Sequence, residues 1–318
     1  MSETRIAFAP ASIGNLGVGF DMLGLAIADV GDRVAARRTD APGITVAEVR
    51  GLDGELHPYL STKADENTAS IAAASFWRQY GDASGIELKV FKGIPLQSGM
   101  GSSAASAVAA VVAVNALLDQ PRPNGDLLMH ALEGEKYASG GLHADNVAPS
   151  LFGGLTLSPQ ALLPEIVRLP VLSGVSAVVM HPNLQVNTAA ARRGLAKGYS
   201  MQQWIEQQGY LGAFVAACAS DDKALAAKTL KDVIIEPQRS AAVPCFDAVM
   251  AAAAKSGSLG GSLSGSGPSI FALADDNRAP NVAMAMEQAC RSLGIECESW
   301  VSPMQARGAY VENSACAT

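Results

Sequence analysis

The sequence predicts a protein of mixed helices and strands, and its composition and the order of its apolar patterns both point there. Gly (31 of 318 residues) and Ala are abundant while aromatic residues make up only 5%, a balance suited to backbones and helices that pack closely. Hydrophobic residues reach 49% and charged residues 17%, which supports a sizeable core and excludes disorder over most of the length. Strand-like and helix-like segments alternate through the first half, and the pattern restarts after Leu162.

Residues 5–9 form a short alternating run that stops at Pro10, and a Gly-rich loop follows through Gly24. Residues 34–38 and 44–49 read as strands separated by a turn signal at 40–43. A helix is expected over 69–80, with Asn67 and Thr68 available as caps. Residues 86–91 alternate apolar and polar, a strand with one buried face. A loop over 93–103 leads into 104–118, a helix with almost no polar face and therefore a buried one. A helix over 127–137 is followed by a loop over 140–154 and a strand at 155–157. Pro159, Pro164 and Pro170 cluster where a domain boundary is expected, giving domains of 1–160 and 161–318. Beyond it come strands at 175–180, 269–274 and 298–301, and helices at 202–219, 224–230, 246–255 and 281–293. The tail from Glu312 is expected to be unstructured.

A formal net charge of −7 argues against a nucleic-acid footprint and against docking on an anionic membrane. The longest uncharged stretch, 93–118, contains Pro95, Gln97, four serines and Asn115, and is too polar for a bilayer span. The five cysteines, Cys218, Cys245, Cys290, Cys297 and Cys316, form no CxxC pair, and no signal peptide is recognisable over residues 1–10. They are expected to be reduced thiols of a cytoplasmic protein. His57, His130, His143 and His181 show no zinc-type spacing.

Three glycine-serine loops carry the chemistry. PLQSGMGSSAAS, from Pro95 to Ser106, lies between a strand and the apolar helix. Gly99 and Gly101 let backbone N–H groups converge, and Ser102 and Ser103 open a helix whose free N–H groups and dipole favour an anion such as phosphate. Walker A spacing is absent, no Lys lies between Gly93 and Leu118, and the third glycine of GxGxxG is missing. A tight turn with a serine cap is the bland alternative. The first loop, PASIGNLGVGFDMLG, holds Asn15 and Asp21 among four glycines, where either can simply cap a turn. The third, GGSLSGSGPS from Gly260, can be only a connector.

Together, in this order and at these separations, the loops resemble the three motifs of the GHMP kinases, the middle one reading PxxxGLGSSAA there, with Met100 here in place of Leu. Within that superfamily the match is closest to the homoserine kinases: HADNVAPSLFGG at 143–154, TAAARRGL at 188–195 and DVIIEPQR at 232–239 are similar to their segments. Ala196, Gln238 and Ile13-Gly14 depart from the pattern without removing a polar group the chemistry requires. The resemblance implies a two-domain α+β fold. Its N-terminal domain would be ribosomal-protein-like with a left-handed β-α-β crossover, and its C-terminal domain ferredoxin-like, with the first and third loops converging on the second.

The resemblance also implies transfer of the ATP γ-phosphoryl group to the side-chain hydroxyl of L-homoserine, a step toward threonine. Gly99, Gly101, Ser102 and Ser103 would offer donors to ATP within the loop that includes Pro95, Ser98 and Met100, and Asn67 would approach the adenine or ribose. Ser103 and Glu135 match the Mg²⁺ ligands, although Glu135 beside Glu133 and Lys136 reads by itself as a solvated helix face. Asn146 stands where mevalonate and galactose kinases carry an aspartate base. An amide cannot take the hydroxyl proton, so the proton would pass to the γ-phosphate or to water, with Asp145 facing away from the site. Arg192, favoured over Arg193, and Arg239 would bind the α-carboxylate, and Asp21 the α-ammonium. Asn15 and Asn146 would bond the ammonium or hydroxyl, with His143, Gly265, Ser266 and Gly267 nearby. L-Homoserine and ATP are the implied partners, with no nucleic acid or membrane, and a homodimer is compatible with the pattern. Three rivals are a mevalonate- or shikimate-type kinase, a non-catalytic ATP-binding relative, and a hydrolase using Ser103, His143 and Asp145. The last lacks a GxSxG elbow.

Overall fold

The computed structural model describes residues 3–312. Cys316 therefore lies outside the described residues, as does the predicted loose tail beyond Glu312. Glu312 itself is held, its N–H donating to the Ile6 carbonyl and its carboxylate accepting from Arg33.

In chain order the elements are β1 (Thr4–Gly14), β2 (Leu23–Thr39), β3 (Ile44–Arg50), α1 (Thr68–Tyr80), β4 (Gly85–Phe91), α2 (Ser102–Asn115), α3 (Asn124–Ser139), α4 (Ala144–Phe152), β5 (Leu155–Leu157), β6 (Val167–Leu169), β7 (Val175–Pro182), α5 (Thr188–Arg193), α6 (Met201–Ser220), α7 (Lys223–Thr229), α8 (Glu236–Arg239), α9 (Phe246–Lys255), β8 (Gly260–Leu263), β9 (Ile270–Asp275), α10 (Ala279–Arg291), β10 (Cys297–Pro303) and β11 (Tyr310–Val311). Short 3₁₀ turns lie at Gln160–Leu162 and Ser240–Ala242.

They build two sheets. The first runs β11-β1-β2-β4-β3, with β5 on β2 and β6 on β5. Its pairs are antiparallel except β3 and β4, which α1 joins as a parallel β-α-β unit. Helices α1, α2 and α4 pack against this sheet and α3 packs on those helices; α2 lies deepest, every residue from Ala104 to Asn115 being buried. Small side chains permit that depth. A Cβ on Gly134 of α3 would sit 2.4 Å from the Thr68 carbonyl of α1. The second sheet, β10-β7-β9-β8, is wholly antiparallel, and its βαββαβ order is ferredoxin-like as expected. One face, carrying Val178, Met180, Ile270 and Ala272, packs on α9 and α10. The alternate residues Ala177, Val179, Phe271 and Leu273 join the main core with Phe214 of α6 and Ala226 of α7. Both β6 and β11 lie after the expected boundary at 160/161, yet pair with the first sheet. Among the described residues no helix is long and apolar enough to cross a membrane.

Four expectations are corrected. β1 does not stop at Pro10. Its register shifts between Pro10 and Ala11, and a bulge is where a strand tolerates a residue without an N–H donor. β2 is 17 residues long, far beyond 34–38. The segment read as a connector from Gly260 opens with a strand, β8. Most consequential, the predicted loop over 140–154 contains α4, with Pro149 inside it. Pro149 cannot donate to the Asp145 carbonyl four residues back, and Gly24 of β2 approaches that carbonyl so closely that a Cβ there would lie 1.8 Å from it.

Candidate active site

The three glycine-serine loops meet. Ser264 Oγ donates to the Gly99 carbonyl at 2.7 Å, Ser269 N–H to the Ser98 carbonyl at 3.0 Å, and Ser12 N–H to the Met100 carbonyl at 3.1 Å. Gly265 N–H reaches the Gly14 carbonyl at 3.0 Å. The middle loop is thus clamped from both sides. Gly99 (φ +78°) and Gly101 (φ +70°) occupy left-handed backbone, and a Cβ on either would strike a neighbour at 2.3 Å, the Ser264 carbonyl or Ser12 Oγ. Gly101 precedes α2 without a side-chain cap, so the first N–H groups of a 14-residue helix open toward the cleft. Ser98, Gly99, Gly101, Ser102 and Ser103 line that cleft, whose volume is about 430 Å³, whereas Pro95 and Met100 do not. Met100 turns its side chain into the core, and its N–H goes to Ser98 Oγ at 3.2 Å.

Ser103 Oγ donates to Glu135 Oε2 at 2.6 Å. Glu135 is buried, unlike a solvated helix face, and burial, reinforced by the charge of Asp145, pushes its pKa up to about 7. No group of three or more His, Cys, Asp or Glu able to hold a metal exists among the described residues. A hydroxyl and one carboxylate nonetheless match a hard cation that keeps waters and draws its other oxygens from phosphate, and a cation would relieve the cost of ionising Glu135 there.

Across the cleft, Asp21 meets Arg192 in a two-pronged pair, Nη1 to Oδ2 at 2.8 Å and Nη2 to Oδ1 at 2.6 Å. His143 Nδ1 lies 3.7 Å from the same carboxylate, and burial lowers its pKa. Arg193, on the same short helix, is exposed and does not line the cleft. Arg239 is buried. Its Nη1 donates to the Gly265 carbonyl at 3.0 Å, and its Nε has no partner. Burial, then the charge of Arg192, draws its pKa down. The two arginines are therefore unequal: one fork is filled by Asp21, and the other guanidinium keeps an unmet buried donor.

Asn15, expected at the ammonium or hydroxyl, fastens loops in this structure. Its Nδ2 donates to the Gly265 carbonyl at 2.8 Å and its Oδ1 accepts from Asp21 N–H at 3.0 Å. Asn67 lines the cleft but caps α1, accepting from Ala69 N–H and donating to the Ser61 carbonyl. Asn146 accepts from Ser12 Oγ at 2.9 Å, which leaves its amide donors for the cleft. Asp145 does not face away. It lines the cleft beside Asn146, because consecutive residues on a helix lie about 100° apart rather than on opposite sides. It accepts from Asn15 N–H at 3.2 Å, and its buried Oδ1 has no partner. Burial, then the charge of Asp21, pushes its pKa up to about 7.

Sequence reasoning also passed over Lys92, one residue before the span found free of lysine. Its buried ammonium pairs with Asp32 and donates to Ser106 Oγ at 2.6 Å and to the Ser102 carbonyl at 3.0 Å, tying β2 and β4 to the first turn of α2. The sequence offered little signal for it, since Asp32 is one of several charged residues of β2, with Asp29, Arg33, Arg37 and Arg38.

Comparison with known proteins bears on this site. The model for the GHMP kinases N terminal domain matches residues 67–154, and that for the GHMP kinases C terminal matches 206–292. A homoserine kinase of Xanthomonas campestris is 40% identical over 310 residues, 97% of this chain and 94% of its own length. The chain belongs to the homoserine kinase family of the GHMP kinases. A Xylella fastidiosa homoserine kinase is also 40% identical, over 95% of this chain and 92% of its own. The crystal structure of a homoserine kinase from Cytophaga hutchinsonii superposes with a TM-score of 0.93 at 40% identity, covering 98% of each chain. As in a GHMP kinase, the N-terminal match holds the middle loop, α2, Glu135 and Asn146. Arg239 lies within the C-terminal match, whereas the first loop and Arg192 fall outside both.

Proposed function

We infer that this protein phosphorylates the side-chain hydroxyl of L-homoserine with ATP, giving O-phospho-L-homoserine and ADP, a step of threonine biosynthesis in the cytoplasm. The observation that carries the reading is one cleft joining an uncapped helix N-terminus to an Asp21, Arg192 and Arg239 cluster. The first suits a polyphosphate and the second an amino acid with both α-groups charged.

Phosphoryl transfer demands positioning and neutralisation more than covalent work by the protein. The N–H groups at the start of α2 receive phosphate oxygens, and the clamps from Ser12, Ser264 and Ser269 keep the loop from relaxing around them. Ser103 and Glu135 would hold Mg²⁺. When bound, that ion supplies positive charge to the phosphate oxygens. Arg239 offers its unmet donor to the α-carboxylate, and Arg192 can share its fork with it. Asp21 receives the α-ammonium, and the amide donors of Asn146 orient the hydroxyl oxygen. Asn146 cannot accept the hydroxyl proton. Asp145, with an unpartnered oxygen and a pKa near 7, is the protein group suited to accept it, the γ-phosphate being the alternative acceptor.

ADP release measured across homoserine, mevalonate, shikimate and galactose tests the reading. Turnover is expected with homoserine alone; preference for any other acceptor refutes it.

A further inference from the structure

Phe20 has no role in the chemistry above and does not line the cleft. Its half-buried ring lies directly before Asp21, and the guanidinium carbons of Arg192 and Arg239 stand 5.3 and 5.1 Å from its centroid. Two cations at one ring repel each other, and Arg192 indeed helps lower the pKa of Arg239. Asp21 hydrogen-bonds Arg192 alone, and its charge, with those of Asp232 and Asp145, offsets only part of what burial and Arg192 cost Arg239. The ring face is electron-rich and attracts each guanidinium without consuming an N–H donor. The ring is also anchored. Asn15 accepts Asp21 N–H through its side chain and Gly19 N–H through its carbonyl, at 3.0 and 2.9 Å, and Asp21 is held in left-handed backbone at φ +57°.

We propose that Phe20 is a positioning residue for carboxylate recognition: its ring carries both guanidinium groups and aims them, donors available, at one anionic group of the substrate. This deepens the homoserine reading and rests on it. The ring separates the orientation of the arginines from their charge, so its loss leaves both cations present but free to turn toward water or apart.

The test is steady-state kinetics on full-length wild type, Phe20→Leu and Phe20→Tyr, with homoserine and with homoserinol, which lacks the carboxylate. Leu keeps apolar volume and removes the π face, whereas Tyr keeps the face. Losing two cation–π contacts of ordinary strength should raise the KM for homoserine roughly 5- to 30-fold in Phe20→Leu, with kcat changed less than about twofold. Phe20→Tyr should stay near wild type, and the KM values for ATP and for homoserinol should hold in both variants. Where circular dichroism shows Phe20→Leu unfolded, Phe20→Met carries the same comparison. Equal losses on homoserine and homoserinol, equal losses in the Leu and Tyr variants, or no loss in Phe20→Leu each overturn the proposal. Wild-type turnover of homoserine beside an insensitive Phe20→Leu removes the role of Phe20 alone; wild type without such turnover overturns the functional reading and this inference together.

Discussion

Asp145→Asn makes the buried charge of the cleft measurable. The carboxyl accepts one N–H, from Asn15 at 3.2 Å, and its Oδ1 has no partner. Its pKa rises from 3.8 to about 7, through burial first and the charge of Asp21 second. Between those values the unfolded chain has released the proton and the folded protein retains it, so the unfolded state binds fewer protons and stability falls as pH rises. The favourable contribution is fully present below about pH 4 and is lost as pH climbs through about 7. At about 1.4 kcal/mol per pH unit, the carboxyl weakens the fold by about 4 kcal/mol at pH 8 and by about 1.5 kcal/mol at pH 5. An asparagine amide has no such dependence. The variant should therefore gain on wild type by roughly 2–3 kcal/mol between pH 5 and pH 8, and by more where relief of Glu135, which Asp145 also pushes up, adds to it. For a chain of this size that widens the difference in Tm by about 3–5 °C. Thermal scans of ligand-free protein at pH 5, 6.5 and 8 and constant ionic strength measure it. A difference in Tm that is constant with pH, or that shrinks as pH rises, would mean Asp145 ionises near its ordinary value, and the argument from desolvation fails. The kcat profile of the same variant reads the chemistry: an acidic limb near pH 7 should vanish with the carboxylate, and a surviving limb assigns the proton to phosphate.

Three further substitutions test other parts of the cleft. Glu135→Gln should lower kcat strongly and raise the Mg²⁺ requirement while nucleotide binding without metal stays unchanged; wild-type kcat at limiting Mg²⁺ would return Glu135 to a purely structural role. Arg239→Ala should reduce kcat/KM for homoserine by about 10- to 150-fold, the effect of losing a hydrogen bond to a charged group. Arg192→Ala should cost less, because Asp21 already competes for its fork. Both variants should match wild type in KM for ATP and lose little further efficiency on homoserinol, and equal losses on the two acceptors would refute carboxylate binding.

Local patterns were legible where the cause was local. The cap of α1 at Asn67, the strand β4 and the bounds of α9 follow from a side chain reaching its own helix, from alternation, and from an apolar run. The middle loop was legible as well, since its glycines and the helix behind it are contiguous. α4 was not. Pro149 and the flanking glycines look like a loop, and only packing against Gly24 makes a helix there acceptable. The misplaced Asp145 followed directly, because neighbours in extended chain point apart whereas neighbours on a helix can share one cleft.

From 318 residues alone the superfamily, the middle glycine-serine loop and the principal charged groups could be named, because their signatures are runs of adjacent residues whose conformation is set by their own backbone and nearest neighbours. Which of those groups is already satisfied could not. Asp21 fills the fork of Arg192 across 171 positions, Asn15 spends its amide on Gly265 across 250, and Ser12 occupies Asn146 across 134. Such partners are chosen by the closing of two sheets around one core, which brings together side chains that no local pattern relates. Burial then decides their charge: the same carboxyl that ionises near 3.8 in water is held up at about 7 once the folded chain has removed the water around it.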